Sequence, residues 1–243
     1  MFAVGCLYIN QSAAQNIDRI IDNIYKRIIE QESQLDSLGG YSYRQTVNFK
    51  KLDGDGEIDQ QSIRDFLVKV RSKNQRYREL VSAKDFEDGV WIDVTHSEKN
   101  KKYKPESQGH QFSLTEMVSP EQRIMYRFNF IGRDTIDRYD TIHLFVEPIE
   151  ESEEKFAGDL WVEKNQFNLV KAILTPSENP TGVESLMMIF EMRPFNAYWF
   201  PQIIIFDARI SFLIFFKGAL YSEIEFSDYR FNQTFADSLF YAR

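Results

Sequence analysis

Two short apolar runs, Leu160 to Val162 and Leu169 to Ala172, flank the polar segment Glu163-Lys164-Asn165-Gln166 inside the stretch FAGDLWVEKNQFNLVKAIL. Each run is too short for a globular helix, and the polar punctuation between them is that of a hairpin with a short loop. Runs of the same kind, punctuated in the same way, recur before and after it. A chain patterned like this folds as a long antiparallel meander, mainly β, of which the hairpin is one unit.

Alternation is clearest after Pro120. Ile124, Tyr126, Phe128 and Phe130 point one way and Arg123, Arg127 and Asn129 the other, which predicts a strand with one dry and one wet face. Ile142, Leu144 and Val146 repeat the pattern beyond a turn at Asp134 to Asp140, and an acidic loop follows from Glu147 to Glu154. Earlier, Tyr41, Tyr43, Val47 and Phe49 alternate with polar residues ahead of Asp53-Gly54-Asp55-Gly56, an opening hairpin turn. A second extended stretch returns from Glu57 to Val70, within which Asp59 to Val70 is also compatible with a helix, and the strand is the reading held. Gln75 to Val81 and Gly89 to Val94 are further strands. Leu186 to Met192, Ile203 to Ile210 and Phe212 to Phe216 are apolar on both faces and call for cover on both. Leu220, Ile224 and Phe226 form a closing strand, and Phe235 to Tyr241 a short amphipathic tail.

Ile17, Ile20, Ile21, Ile24, Ile28, Leu35 and Leu38 recur at helical spacing and predict an amphipathic helix ended by Gly39-Gly40. Its narrow stripe needs a larger apolar surface to lie on. Ahead of it, the apolar run Phe2 to Ile9 and then Ser12-Ala13-Ala14 leave residues 1–14 open to two readings, a truncated secretory signal or an ordinary terminus. Ala3-Val4-Gly5-Cys6 adds a third, a lipobox. Residues 15–243 are expected to form a single domain. Thr95 to Gln111, Lys-rich and polar, reads as an exposed loop, and Ser113-Leu114-Thr115-Glu116 as the cap of a short helix.

Several function classes are excluded at this level. A net charge of -8 with dispersed basic residues argues against a nucleic-acid partner. One cysteine, Cys6, allows no internal disulfide. Tyr198 to Phe216 is apolar, but Asp207 and Arg209 would each cost about 2.5 to 3.5 kcal/mol near a bilayer centre, where each Ile or Phe returns only about 0.3 to 0.6 kcal/mol. Strands fit that stretch better than a transmembrane segment. The Asp53 turn resembles the middle of a calcium loop, yet Lys51 and Ser62 stand where acidic ligands are needed. His96, in a loop, His110, near a loop end, and His143, mid-strand, show no metal-ligand or nucleophile spacing, and the acidic pairs at Glu150-Glu151 and Glu153-Glu154 read as solvated. No Gly-rich phosphate loop or GxSxG elbow occurs. No catalytic residue, metal ligand or cofactor is assigned, and the expectation is a protein that is not an enzyme.

The N-terminal helix, YSYRQTVNFKKLDGDG, FNFIGRDTID, FAGDLWVEKNQFNLVKA and Tyr198-Trp199-Phe200-Pro201 occur in that order. Together they resemble the LolA-like superfamily of outer-membrane lipoprotein-sorting proteins, with its LolB- and RseB-like branches. The resemblance implies an α+β, mainly β fold: an incomplete antiparallel β-barrel, or half-barrel, with an N-terminal helix and short helices covering the concave face. It also implies a monomer in the periplasm or cell envelope, free or membrane-anchored, whose partner is a lipid, an acylated lipoprotein or another envelope protein. The polar insertion Thr95 to Gln111 and the lack of an Arg-Pro after the hairpin strand depart from the carriers' pattern.

The residues themselves offer Tyr43, Phe128, Phe130, Leu144, Val146, Leu160, Met188, Phe190, Ile224 and Phe226 on the dry faces of the strands as candidate ligand-binding positions. Met and Phe line adaptable apolar sites, and each acyl methylene buried among them contributes about 0.8 kcal/mol. Two readings stand: these side chains enclose an acyl-chain cavity, or they pack against the first helix and leave none. Two further functions remain open. One is a sensor or scaffold that binds a protein by the same surface, and the other is a hydrolase that would need a His beside an acid and a Ser.

Overall fold

A computed structural model describes residues 4–72, 75–100, 114–212 and 216–240, with 4–15, 212 and 216 described by backbone alone. A long helix, α1 (Val4–Ser37), precedes four strands: β1 (Tyr41–Leu52), β2 (Ile58–Ser72), β3 (Gln75–Glu87) and β4 (Val90–Asp93). Two short helices follow, α2 (Thr95–Asn100) and α3 (Leu114–Val118). Then come β5 (Tyr126–Ile136), β6 (Tyr139–Pro148), β7 (Phe156–Glu163), β8 (Leu169–Pro176), β9 (Val183–Phe195), β10 (Tyr198–Phe212) and β11 (Phe216–Phe231). The class is the expected one, α+β and mainly β, with antiparallel pairing within each unit's ladder.

The chain divides into two compact units, Met1–Gln31 with Phe112–Glu178, and Glu32–Gln111 with Asn179–Arg243. In the first, the ladder runs β5-β6-β7-β8. One of its faces is apolar, because direct partners share a side: Phe130 lies opposite Leu144, Leu144 opposite Leu160, and Leu160 opposite Ala172. α1 covers this face with Ile20, Ile21 and Ile24, exposed by 7%, 1% and 1%. Each such isoleucine contributes about 1.5 to 3 kcal/mol by leaving water. Arg27 Nε fixes the helix by donating at 2.8 Å to Oδ1 of buried Asn168, and Asp22 pairs with Arg123.

In the second unit the order is β4-β3-β2-β1-β11-β10-β9. Its core gathers Tyr43, Phe66, Val68, Val70, Leu80 and Ala83. α2 is tied to this ladder through Arg64, whose guanidinium pairs with Asp85 at 2.7 Å and reaches Glu98 at 3.9 Å. On the opposite face Asp65 accepts hydrogen bonds from Thr46 at 2.7 Å and Ser82 at 2.6 Å. Partial burial would raise its carboxyl, but these bonds and nearby Arg44 hold it below the usual carboxylate range.

Several expectations need correction. The first helix begins at Val4, well before Ile17, whereas the extended reading of Glu57 to Val70 is met by β2. Residues 95–100 are helical, because the Asp93 carboxylate accepts the Thr95 N–H at 2.8 Å and starts a turn, so His96 lies on a helix and not in a loop. The rest of that insertion, with His110, lies outside the described residues. Ile124 sits in a 3-10 turn, held by the Arg123 N–H on the Ser119 carbonyl at 2.9 Å, and is 72% exposed rather than part of the dry face. Ile203 to Ile210 and Phe212 do not belong to separate strands: Asp207 and Arg209 fall into the alternation opposite Tyr221 and Ala219 instead of turning the chain. Nor is β10 buried on both sides, since Ile203, Ile204, Ile205 and Phe206 are all half-buried.

Gly158, in mid β7, has φ of +147°, and a Cβ there would lie 2.0 Å from the Ile173 carbonyl oxygen of the neighbouring strand. Only glycine allows the two backbones to come so close. Gly158→Ala is expected to destabilise by more than about 4 kcal/mol, the range of exceptional lesions. A thermal melt within a few degrees of the parent would contradict this.

Candidate functional site

The ten candidate positions fall into two sets, one per unit. Tyr43, Met188, Phe190, Ile224 and Phe226 share one face of the second unit, as the cross-strand rows demonstrate. Phe190 lies opposite Ile204, Ile204 opposite Ile224, and Ile224 opposite Val47. Met188 lies opposite Phe206 in the next row, and Phe226 opposite Gln45, two residues from Tyr43. Met188 and Tyr43 are buried, while Phe190, Ile204, Phe206, Ile224 and Phe226 remain half-buried.

One end of this face is closed by aromatic rings. Asp228 takes a φ of +54° where the β1–β11 register shifts, and that one-residue bulge brings Tyr229 to the side of Tyr43. The Tyr229 ring stacks on Phe200 at 4.5 Å and on Tyr43 at 5.2 Å, and its hydroxyl donates to the Pro201 carbonyl at 3.0 Å. Pro201 itself sits at a bulge, where a ladder can spare an N–H.

In the first unit Leu144, Val146 and Leu160 are exposed by 0%, 0% and 1%, so they are packed core, with Phe128 half-buried and Phe130 49% exposed. Phe130 lines a cleft of about 290 Å³, just below the usual range of small-molecule sites. Its apolar wall is Ile20, Phe130, Ile142 and Phe167, and its polar rim Asn16, Arg19, Asn23, Arg133 and Lys164. Two local features shape it. The β5–β6 register shifts between Phe130 and Gly132, so Arg133 lies opposite Ile142, on the helix-covered side. Unbulged alternation would have turned Arg133 away. Phe167, closing the β7–β8 hairpin, has φ of +59°, a region that bulky side chains avoid. Its N–H donates to the Glu163 carbonyl at 3.0 Å, while the Glu163 carboxylate takes the Asn165 and Gln166 N–H groups at 3.0 and 2.5 Å.

The outer face of the same ladder carries His143, bonded to Asp159 at 2.6 Å and stacked on Trp161 at 4.5 Å. Among the described residues no Ser or Cys bonds to its ring. Nor do any three His, Cys, Asp or Glu side chains of those residues converge as a metal site would need. At Asp53 the side chain accepts the Asp55 and Glu57 N–H groups, each at 3.0 Å, forming the expected turn.

No family model matches the chain, and no curated protein matches it in sequence. Among solved structures it is similar to a DUF1329 family protein from Desulfovibrio piger, with 12% identity and a TM-score of 0.43, over 91% of this chain and 97% of that one. It is similar to a LolA superfamily protein from Nitrosomonas europaea, with 16% identity and a TM-score of 0.39, over 88% and 96%. It is also similar to a chain of the Pseudomonas aeruginosa MucA/MucB complex, with 8% identity and a TM-score of 0.26, over 88% and 99%. No helix among the described residues is long and apolar enough to cross a membrane.

The aromatic cluster makes a pH-dependent prediction. Burial, with Tyr43 alongside, pushes the Tyr41 hydroxyl up to about 12, and burial also raises Tyr229. In the unfolded chain both ionise near pH ~10. Above that pH the unfolded state releases protons that the folded state keeps, so stability falls as pH rises from about 10 to 12, by about 1.4 kcal/mol per unit for each tyrosine. Urea midpoints at rising pH measure the slope, and Tyr41→Phe should make it shallower.

Proposed function

We propose that this chain is a non-enzymatic binding protein of the cell envelope that holds an acyl chain on the apolar face of its second unit. The observation that carries this reading is the half-buried row Phe190, Ile204 and Ile224 with neighbouring Phe206 and Phe226. A half-buried apolar face of this kind offers an apolar partner area to cover. Met188 and the Phe side chains supply adaptable contacts without polar specificity, and about 0.8 kcal/mol for each buried methylene is enough to hold a chain of ordinary length. An acylated lipoprotein would present the same chemistry as a free lipid.

A second reading, capture of a protein partner, is favoured by a different observation. Ile124, Phe130, Ile131 and Ile149, exposed by 72%, 49%, 57% and 51%, cluster about β5, and the Ile149 N–H donates to the Met125 carbonyl at 2.8 Å. Apolar exposure around one strand is a protein-docking feature.

Native mass spectrometry of protein purified from an envelope fraction, followed by lipid extraction, tests the first reading. The expected result is a stoichiometric lipid adduct that disappears in Ile224→Asn while the variant still melts cooperatively. Recovery of apo protein alone, with no uptake of added fatty acid or acylated peptide, would sink it in favour of the second.

A further inference from the structure

We propose that the cleft of the first unit is a separate site for the anionic head, carboxylate or phosphate, of a single-chain amphiphile. It does not rest on the acyl-chain reading of the second unit. In a chain with 37 acidic and 29 basic residues, the cleft rim carries three cations, Arg19, Arg133 and Lys164, and no acid. Among the described residues none of the three side chains is neutralised by an ion pair. Cations on an otherwise acidic protein are usually paired across strands, as Arg64 is with Asp85 and Arg127 with Glu147. Three unneutralised ones at one opening form a local field that attracts an anion.

The way they are assembled supports the same conclusion. Arg19 comes from α1, Arg133 from β5 and Lys164 from the β7–β8 turn, so three separate elements converge. Two of the three depend on local irregularities. Arg133 reaches the cleft only because of the bulge at Ile131, and the turn bearing Lys164 ends in a phenylalanine held at positive φ. Strained backbone persists where the surrounding structure fixes it, and such strain concentrates at ligand sites. Asn16 and Asn23 add amide donors to the rim.

Below the rim, Ile20, Phe130, Ile142 and Phe167 offer an apolar wall. A free inorganic anion would gain nothing from it, whereas the first methylenes behind a charged head would. A volume of about 290 Å³ accommodates a head with a short stretch of one chain and excludes a diacyl lipid body.

Isothermal titration calorimetry of the full chain at low salt with dodecanoate, dodecyl phosphate, dodecanol and inorganic phosphate, each below micelle formation, tests the site. The anionic amphiphiles are expected to bind, with dodecanol and inorganic phosphate at least about tenfold weaker. Arg133→Glu and Lys164→Glu should each weaken the anionic ligands about tenfold at an unchanged melting temperature, and added salt should weaken them further. Whichever of the two amphiphiles binds more tightly identifies the head. Phe167→Asn, which suits the left-handed turn, should fold at least as well yet bind less tightly. Equal binding of dodecanol and dodecanoate would overturn the proposal, and so would equal binding of inorganic phosphate or affinities unmoved by both charge reversals. Loss of binding in Ile224→Asn but not in Arg133→Glu would leave the second unit's acyl site standing and remove this one.

Discussion

Every strand here obeys one geometric constraint: side chains alternate between faces, so a single inserted residue exchanges the faces of everything beyond it. Two insertions set the character of this protein. At Ile131 the exchange carries Arg133 to the side covered by α1, and at Asp228 it carries Tyr229 to the side of Tyr43. Without the first, the cleft would lose a cation. Without the second, the aromatic stack that closes one end of the second unit's apolar face would lose its centre. The helix obeys a related constraint, since one stripe of α1 turns Ile20, Ile21 and Ile24 inward, and Arg27 meets the buried Asn168 beside that stripe.

Much of this was legible in the chain. Period-two alternation in Tyr43 to Phe49 and in Ile142 to Val146 gave strands, and in the second it also gave the buried face, since burying one face leaves that rhythm in the residues. The isoleucine stripe named the helix and its buried side, and the Asp53 turn was readable from its residues. Bulges leave no such trace. A run such as FNFIGRD has the same composition with or without an extra residue in its pairing, so Arg133 could not be assigned a side. The ten dry positions differ in a related way. Leu144, Val146 and Leu160 fill a core, while Ile224 and Phe190 stay half-open. Sequence shows that a side chain faces inward, but how much covers it depends on what else packs there. Phe167 was missed for another reason: positive φ is expected of Gly or Asn, and nothing in the residue itself announces it.

The two faces differ in what they ask of a ligand. The second unit presents area with little polarity, which gives strength without selectivity. The cleft of the first presents charge over a small apolar floor, which selects for a head while holding little of the tail. Chemistry on His143 and Asp159 would call for a nucleophile beside the ring. What lies beside it among the described residues is Trp161, whose indole N–H donates to Asp134 at 3.3 Å.

Among the described residues β5 pairs only with β6, so along these one of its backbone edges has no strand beside it. An open edge is a template on which further strands of the same or another molecule can grow into fibres. The bulge at Ile131 interrupts the regular spacing of N–H and C=O groups along that edge, and Arg127 and Arg133 add charge to either side of the interruption. The irregularity that aims a cation into the cleft therefore also limits how far a foreign strand can zip along the sheet, so removing Ile131 would raise the tendency to aggregate.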